Sequence, residues 1–323
     1  MNNKITISQL AGKIKEPKNT LILCHKNPDP DTLGSAFALK YILSYFGSEV
    51  NCACADMVAG KFSFITKGVE LEYKGEEYER YIAVDVASPM QLGDLEYLSP
   101  RVDITIDHHE MNTRFSLYYE DFRASNCENI YLLAKELNVL DKMPLNFYEC
   151  LYAGMSADTG GFRFSNVTPD TMKIASEVIS HGIDHAEINR IIFDSKTMGE
   201  IRAQKLTYEK MQLFLDGKLS IIMFTNDMKS DNQITDADIG DIVNYIRSIE
   251  GVLVAVSLKQ SSRDESKFSV SSRANVDIDV SMICAKIGGG GHKRAAGATI
   301  IASSPEEAIK RCVELFGEAI MNN

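Results

Sequence analysis

The sequence predicts an α/β protein: a mostly parallel sheet with helices on both faces, then a smaller α/β unit joined to it by a helical linker. Three observations carry that reading. Short apolar runs alternate with longer helix-period segments through the first half, the pattern of strands buried on both faces. A charged stretch without Gly or Pro follows at 200–216, and beyond it the strand and helix pattern restarts. A length of 323 residues is itself the size of two domains.

Strands are expected over 20–25, 50–55, 81–86 and 102–106, with a helix over 33–46 that Gly47 ends. Ser125-Asn-Cys-Glu128 has the form of a capping box and opens a helix to Leu137. Helices over 144–156, 169–181 and 184–194 complete a first domain, 1–195. A linker helix occupies 196–216. The second domain, 217–323, has strands over 219–224, 252–258, 267–272 and 298–301 and helices over 236–249, 278–287 and 305–319. The segment 226–231 reads as a surface loop.

Composition bounds the function. Hydrophobic residues are 45% and charged residues 24%, ordinary for a globular chain. The net charge of −11 argues against sequence-independent binding of long nucleic acid, which needs a cationic footprint. No run approaches the roughly 18 apolar residues of a membrane span, and the N-terminus lacks the apolar core of a signal peptide. The seven cysteines are odd in number. Cys24, Cys52, Cys150 and Cys284 lie in apolar runs as small hydrophobes, and Cys52 and Cys54 have no partner histidine nearby, so a reducing, cytoplasmic compartment is expected.

Histidine is scarce, and four of the six fall in dense polar constellations. The first, His25-Lys-Asn-Pro-Asp29-Pro-Asp31-Thr-Leu-Gly34-Ser35, follows a strand and opens a helix, at the sheet edge where open α/β folds place ligands. Asp31 or Thr32 capping that helix would explain one residue and not the string. The second is Asp85, ending an apolar strand where a lone carboxylate is costly. The third is Asp107-His108-His109-Glu110 at another strand end. The fourth is Asp158, entering a glycine turn; alone it would read as an Asx-turn. Together they offer His25, Asp29, Asp31, Asp85, His108 and Asp158. Six oxygen and imidazole ligands without a cysteine suit two Mn²⁺ or Mg²⁺ ions, the apparatus of phosphoester hydrolysis.

The order HxNPDxDxxGS, a strand-end Asp, DHH and a later Asp before a glycine turn resembles the DHH phosphoesterase superfamily. The tail, Gly288-Gly-Gly-Gly-His292-Lys-Arg-Ala-Ala-Gly297, resembles the signature of its DHHA1 domain. Asp107-His-His-Glu-Met-Asn112 and Asp158-Thr-Gly-Gly-Phe162 followed by Thr168 resemble, more narrowly, the bacterial nanoRNase and pAp phosphatase (NrnA-like) branch. The resemblance implies one metal on His25, Asp29 and Asp85 and a second on Asp31, Asp85, His108 and Asp158, with Asp85 bridging. It implies that Asp107 orients its neighbours and that His109 faces the scissile phosphate, although adjacent histidines cannot be told apart by chemistry alone. In the second domain, the four glycines would let backbone approach an anion, with Gly289, Gly290, Gly291, His292, Arg273 and Arg263 as substrate contacts and His292 also catalytic.

The implied function is a phosphoesterase with two divalent cations, Mn²⁺ with Mg²⁺ or Co²⁺ as alternatives, cleaving short oligoribonucleotides or 3′-phosphoadenosine 5′-phosphate (pAp). Linear or cyclic di-adenylate hydrolysis is the alternative. Inorganic pyrophosphatase is disfavoured by the GGGGH tail, and a non-enzymatic nucleotide sensor by the filled ligand set. The expected partners are short RNA or adenine nucleotides, without long nucleic acid or membrane, and a homodimer is compatible with the sequence.

Overall fold

A computed structural model describes residues 3–109, 113, 115–240 and 242–321, apart from the side chain of His292. Glu110, Met111 and Asn112 of the motif around Asp107 lie outside the described residues, as does any role of the His292 side chain. The chain divides into two compact units, Met1–Ser195 and Lys196–Asn323.

The first unit runs α1 (Ile7–Ile14), β1 (Thr20–Leu23), α2 (Pro30–Tyr45), β2 (Val50–Ala53), α3 (Ser63–Thr66), β3 (Arg80–Val84), β4 (Ile104–Asp107), β5 (Leu117–Glu120), α4 (Asn126–Glu136), α5 (Leu145–Asp158), α6 (Pro169–Ser180) and α7 (His185–Asn189). Its five strands are all parallel in the order β2-β1-β3-β4-β5. Alternate residues of each strand enter different cores. Ile22, Ile82, Val84, Ile104 and Ile106 pack under α1, α2, α4 and α5. Leu21, Leu23, Ala53, Tyr81 and Ala83 meet Leu92, Leu95 and Leu98 of a 3₁₀ segment, Pro89–Arg101. Both faces are therefore helical, but unequally so.

The order of strands has a consequence for ligands. From β1 the chain steps to β2 on one side, and from β3 it proceeds to β4 and β5 on the other. The C-terminal ends of β1 and β3 thus flank the crevice where a parallel sheet of this order binds its ligand.

Local chemistry moves several boundaries from the sequence expectation. The second helix begins at Pro30, not 33, because proline suits the first helical position and Asp29 caps it from outside. Ser125 does cap α4, accepting from the Cys127 N–H, but no capping box forms; Glu128 instead takes a hydrogen bond from the Thr171 hydroxyl at 2.9 Å. Three of these elements add to the expected set: α1, opened by a capping box between Thr6 and Gln9, the single turn α3, and β5, an edge strand that pairs with β4.

The second unit runs α8 (Met198–Lys210), β6 (Gln212–Phe214), β7 (Leu219–Phe224), α9 (Asn226–Asp231), α10 (Ile242–Arg247), β8 (Val254–Gln260), β9 (Lys267–Ala274), α11 (Val280–Ala285), β10 (Gly290–His292), β11 (Ala295–Ile301) and α12 (Pro305–Met321). The sheet order is β10-β11-β9-β8-β7-β6, and only β7 and β8 pair in parallel. The expected linker helix stops at Lys210, because Leu215, Asp216 and Gly217 take left-handed φ and turn β6 back onto β7. It is no free spacer: Ala203 and Leu206 pack into this unit's core. The expected loop at 226–231 is the helix α9, capped by Thr225, with Lys229 buried against Asp236 at 2.8 Å.

Candidate metal centre

Each candidate ligand of the first unit sits at or just beyond the end of a strand or helix. His25 follows β1; Asp29 caps α2 and Asp31 lies in its first turn; Asp85 directly follows β3; His108 and His109 follow β4; Asp158 is the last residue of α5. The fold brings all of them together. His25 Nε2 lies 3.6 Å from Asp29 Oδ1 and 3.5 Å from Asp85 Oδ2. His108 Nε2 lies 3.3 Å from Asp85 Oδ1, 3.4 Å from Asp158 Oδ2 and 3.7 Å from Asp31 Oδ2. Asp85 Oδ2 thus faces His25, which with Asp29 completes one trio, and Oδ1 faces His108 of a second trio with Asp31 and Asp158; His109 Nδ1 also lies 3.6 Å from Oδ1.

Hydrogen bonds outside the cluster set which atoms point inward. The Nδ1–H of His25 donates to the Lys26 carbonyl at 2.7 Å, and that of His108 to the Arg123 carbonyl at 3.0 Å. Each ring therefore turns its Nε2 toward carboxylates, protonated while protons neutralise the cluster and able to offer a lone pair, as metal-bound histidines do, once that proton is displaced. Asp31 is held from behind: Ser125 Oγ donates to Oδ1 at 2.6 Å, Asn126 N to Oδ2 at 2.7 Å and Cys127 N to Oδ1 at 3.0 Å. The first turn of α4 thus aims this carboxylate, and helix-terminal N–H groups favour its charge. Gly154 and Gly34 permit the approach. A Cβ at Gly154 would strike Cys127 Sγ and come within 2.6 Å of Asp31 Oδ1, and one at Gly34 would strike the Cys150 carbonyl.

The electrostatics call for a cation. Asp31, Asp85 and His108 are buried, and Asp85 Oδ1 has no hydrogen-bond partner among the described residues. Asp85 also takes φ 58, a conformation that a non-glycine residue adopts only when its surroundings impose it. Burial, and then the neighbouring carboxylates, push Asp31 and Asp158 above the usual carboxylate range. Burial disfavours a charged His108, but Asp85, Asp158 and Asp31 outweigh it and hold its pKa well above the ordinary value. Burial also opposes the Asp85 charge, yet His108 and His25 keep that carboxyl well below its usual range. Protons do the neutralising in this cluster, and divalent ions can displace them. Oxygen and imidazole donors with an orphaned buried carboxylate oxygen fit that replacement.

The two adjacent histidines are separable. His108 lies among three carboxylates, whereas His109 Nδ1 donates to Asp107 Oδ1 at 2.8 Å and so turns its Nε2 the other way. Asp107 is itself fully buried, and its carbonyl accepts from Asn129 Nδ2 at 3.2 Å. Sequence reasoning missed Ser125 and Cys127 as supports of Asp31, and also Arg163. The Arg163 guanidinium lies over the Phe193 ring and donates from Nε to the Gly160 carbonyl at 2.5 Å, beside the turn that follows Asp158. An Arg in the motif after the glycine turn was the available signal.

In the second unit the candidates do not all gather. Arg273 on β9 registers with Ala295 on β11, which registers with His292 on β10, so these backbones line up across one end of the sheet. Arg263 lies in the loop before β9, and six residue steps along the strand, about 20 Å, carry the chain from Lys267 to Arg273. The two arginines cannot share one phosphate. The glycine run also has structural work. Gly288 takes φ 76 at the end of α11, with Gly289 N donating to the Cys284 carbonyl at 2.9 Å. A Cβ at Gly289 would strike the Gly297 carbonyl, and one at Gly291 would come within 2.6 Å of the Ala295 carbonyl. Only at Gly290 would a Cβ meet nothing within 4 Å, apart from the Gly288 cap.

Comparison with known proteins agrees with both units. The profile of the DHH family, N-terminal domain, matches residues 19–155, and that of the DHHA1 domain matches 218–322. A Streptococcus mutans protein named probable bifunctional oligoribonuclease and PAP phosphatase NrnA is 27% identical, covering 93% of this chain and 95% of that protein. The Thermus thermophilus bifunctional oligoribonuclease and PAP phosphatase NrnA is 28% identical, over 93% of this chain and 89% of its own. Among solved structures, an exopolyphosphatase-related protein from Bacteroides fragilis superposes with a TM-score of 0.86 at 21% identity, over 98% of this chain and 96% of that one, which shows the shared fold.

Proposed function

Because the chain belongs to the DHH phosphoesterase superfamily, with a DHH and a DHHA1 domain, we propose that it hydrolyses short oligoribonucleotides and pAp with the help of two divalent cations. The observation that carries this reading is the convergence of two ligand trios on opposite oxygens of Asp85 at the switch point of a parallel sheet. The names of the relatives support the substrate class. In this reading His25, Asp29 and Asp85 hold one ion, Asp31, His108, Asp158 and Asp85 the other, and Mn²⁺ is the ion used. Bound there, such ions supply an activated water and neutralise phosphate charge.

The chain's own residues do the rest. Burial alone would keep His109 neutral, but Asp107 and Asp85 raise its pKa above the ordinary value. A charged ring held at Nδ1 by Asp107 presents an Nε2–H to the scissile phosphate. Arg163, exposed beside the turn that follows Asp158 and held by the Gly160 carbonyl and the Phe193 ring, adds a guanidinium for the phosphate. Arg273 grips a terminal phosphate of the substrate; Arg263, at the other end of β9, does not share that contact. No helix among the described residues is long and apolar enough to cross a membrane, and all seven cysteines are free and buried, in keeping with a reducing, cytoplasmic setting.

The reading is tested by initial rates of purified protein in Mn²⁺ on pAp, RNA of two to five nucleotides, and linear and cyclic di-adenylate. The expected products are AMP and inorganic phosphate from pAp and mononucleotides from RNA, all lost after chelation. Turnover of cyclic di-adenylate alone would transfer the assignment to the di-adenylates, and turnover of none would overturn it. For Arg273→Ala, KM should rise about tenfold or more, the worth of a charged hydrogen bond to phosphate, with kcat and metal content little changed. A fall in metal content or folded fraction with KM unchanged would assign Arg273 to the fold.

A further inference from the structure

We infer that Gln91 is a positioning residue that sets the spacing between the His25 loop and the Asp85 loop, and thereby the affinity of the cation site built from His25, Asp29 and Asp85. The inference deepens the two-cation reading and rests on it. Asp85 is the last residue that the sheet holds: its N–H donates to the Ile106 carbonyl at 2.9 Å, and its φ of 58 then swings the chain out of the ladder. Beyond it, residues 86–88 belong to no strand. The N–H groups of Ala87 and Ser88 both donate instead to one atom, Gln91 Oε1, at 2.5 and 3.2 Å. Gln91 N closes the turn on the Ser88 carbonyl at 3.0 Å.

The same residue reaches the other loop. The Gln91 carbonyl accepts from Lys26 N at 2.6 Å, and the Lys26 carbonyl accepts from His25 Nδ1 at 2.7 Å. That second bond is the one that turns His25 Nε2 toward Asp29 and Asp85. The segment is packed tightly here. At Gly93, where φ is 59, a Cβ would lie 3.1 Å from both Lys26 Cβ and Ala55 Cβ. Gln91 thus ties together two loops from either side of the switch point, although it is none of the ligands. The other ion shares Asp85, which the sheet still fixes through the Ile106 carbonyl, and its remaining ligands are anchored elsewhere, Asp31 on Ser125, Asn126 and Cys127 and His108 on the Arg123 carbonyl. Loosening Gln91 should therefore weaken one ion and spare the other.

The test is Mn²⁺ titration of metal-depleted protein, followed by electron paramagnetic resonance and calorimetry without substrate. Gln91→Met keeps the side-chain length and removes the acceptor, while Gln91→Glu keeps an acceptor oxygen. Wild type should bind two ions. Q91M should bind one with wild-type affinity and the other about ten- to a hundredfold more weakly, the usual cost of losing a support behind metal ligands, and Q91E should restore most of the loss. Activity of Q91M should recover as Mn²⁺ is raised at a temperature where circular dichroism shows the metal-free variant fully folded, so that stabilisation of the fold by the ion does not account for the recovery. Gln91→Asn, which withdraws the same oxygen by one methylene, takes the place of Q91M if that variant does not fold. Two equally weakened ions, or two unchanged ones, would overturn the inference while leaving the two-cation reading standing. A wild type that binds fewer than two ions would overturn that reading, and this inference with it.

Discussion

Asp85→Ala should release both cations and lower kcat/KM by about a thousandfold or more, about 4 kcal/mol of transition-state stabilisation. The size follows from geometry. Oδ1 of Asp85 faces His108 and Oδ2 faces His25, so one truncation removes a donor from each trio. Alanine also fits poorly at φ 58, whereas asparagine tolerates that conformation and keeps the shape of the side chain. Asp85→Asn is therefore the cleaner companion, because it removes the charge and little else. A second readout does not depend on turnover. Ligands that bind only the folded state raise its melting temperature by mass action, so Mn²⁺ should stabilise wild type and do little for either variant. Without metal, D85N should be less stable than wild type near neutral pH, since it removes the buried carboxylate that His25 and His108 face. Two ions retained in D85A, or full activity, would refute the shared-ligand assignment.

The extent to which the sequence foretold this arrangement differs from residue to residue, and the physical reasons are visible. The candidate ligands were legible as a group because carboxylates and histidines bordering apolar strands and helices are too costly to be incidental, and the ends of parallel elements gather on one edge of the sheet. Parallel strands such as β1 and β3 were legible from short apolar runs, since both faces are covered. α1 was written in Thr6 and Gln9, a capping box three residues apart, but its short length hid it. The supports of the site were not legible. That Ser125 would both cap α4 and donate to Asp31, 94 residues away, depends on tertiary contact. So does Gln91, a polar residue in a 3₁₀ segment with no periodicity to mark it. The glycine run was informative about place and less so about purpose. Four glycines suggested a cradle for an anion, but the cap at Gly288 and the close approach of β11 to Gly289 and Gly291 already require three of them.

Substrate length is the second large effect. On single-stranded RNA from 2 to 24 nucleotides at fixed salt, kcat/KM should be highest at two to five and fall by about tenfold or more by 24. The whole chain carries a net charge of −11, so each phosphate beyond those gripped meets mostly repulsion. Cationic groups near the metal ligands are few, and some are already engaged. Arg123, whose carbonyl orients His108, pairs its own side chain with Asp121 at 2.8 Å and Asp170 at 3.7 Å. That leaves His109 and Arg163 in the first unit as the residues assigned to phosphate, and Arg273 in the second. Salt dependence gives an independent measure of the same property. Each phosphate neutralised on a single strand contributes a slope of about −0.7 in log K against log salt, so two phosphates, the scissile one and the terminal one, predict about −1.4. An extended track with six or more contacts would give about −4 or steeper and a profile that is flat or rising with length. That pair of results would mean that the chain holds a cationic path for long strands, and the short-substrate reading would fall even if both metal ions were in place.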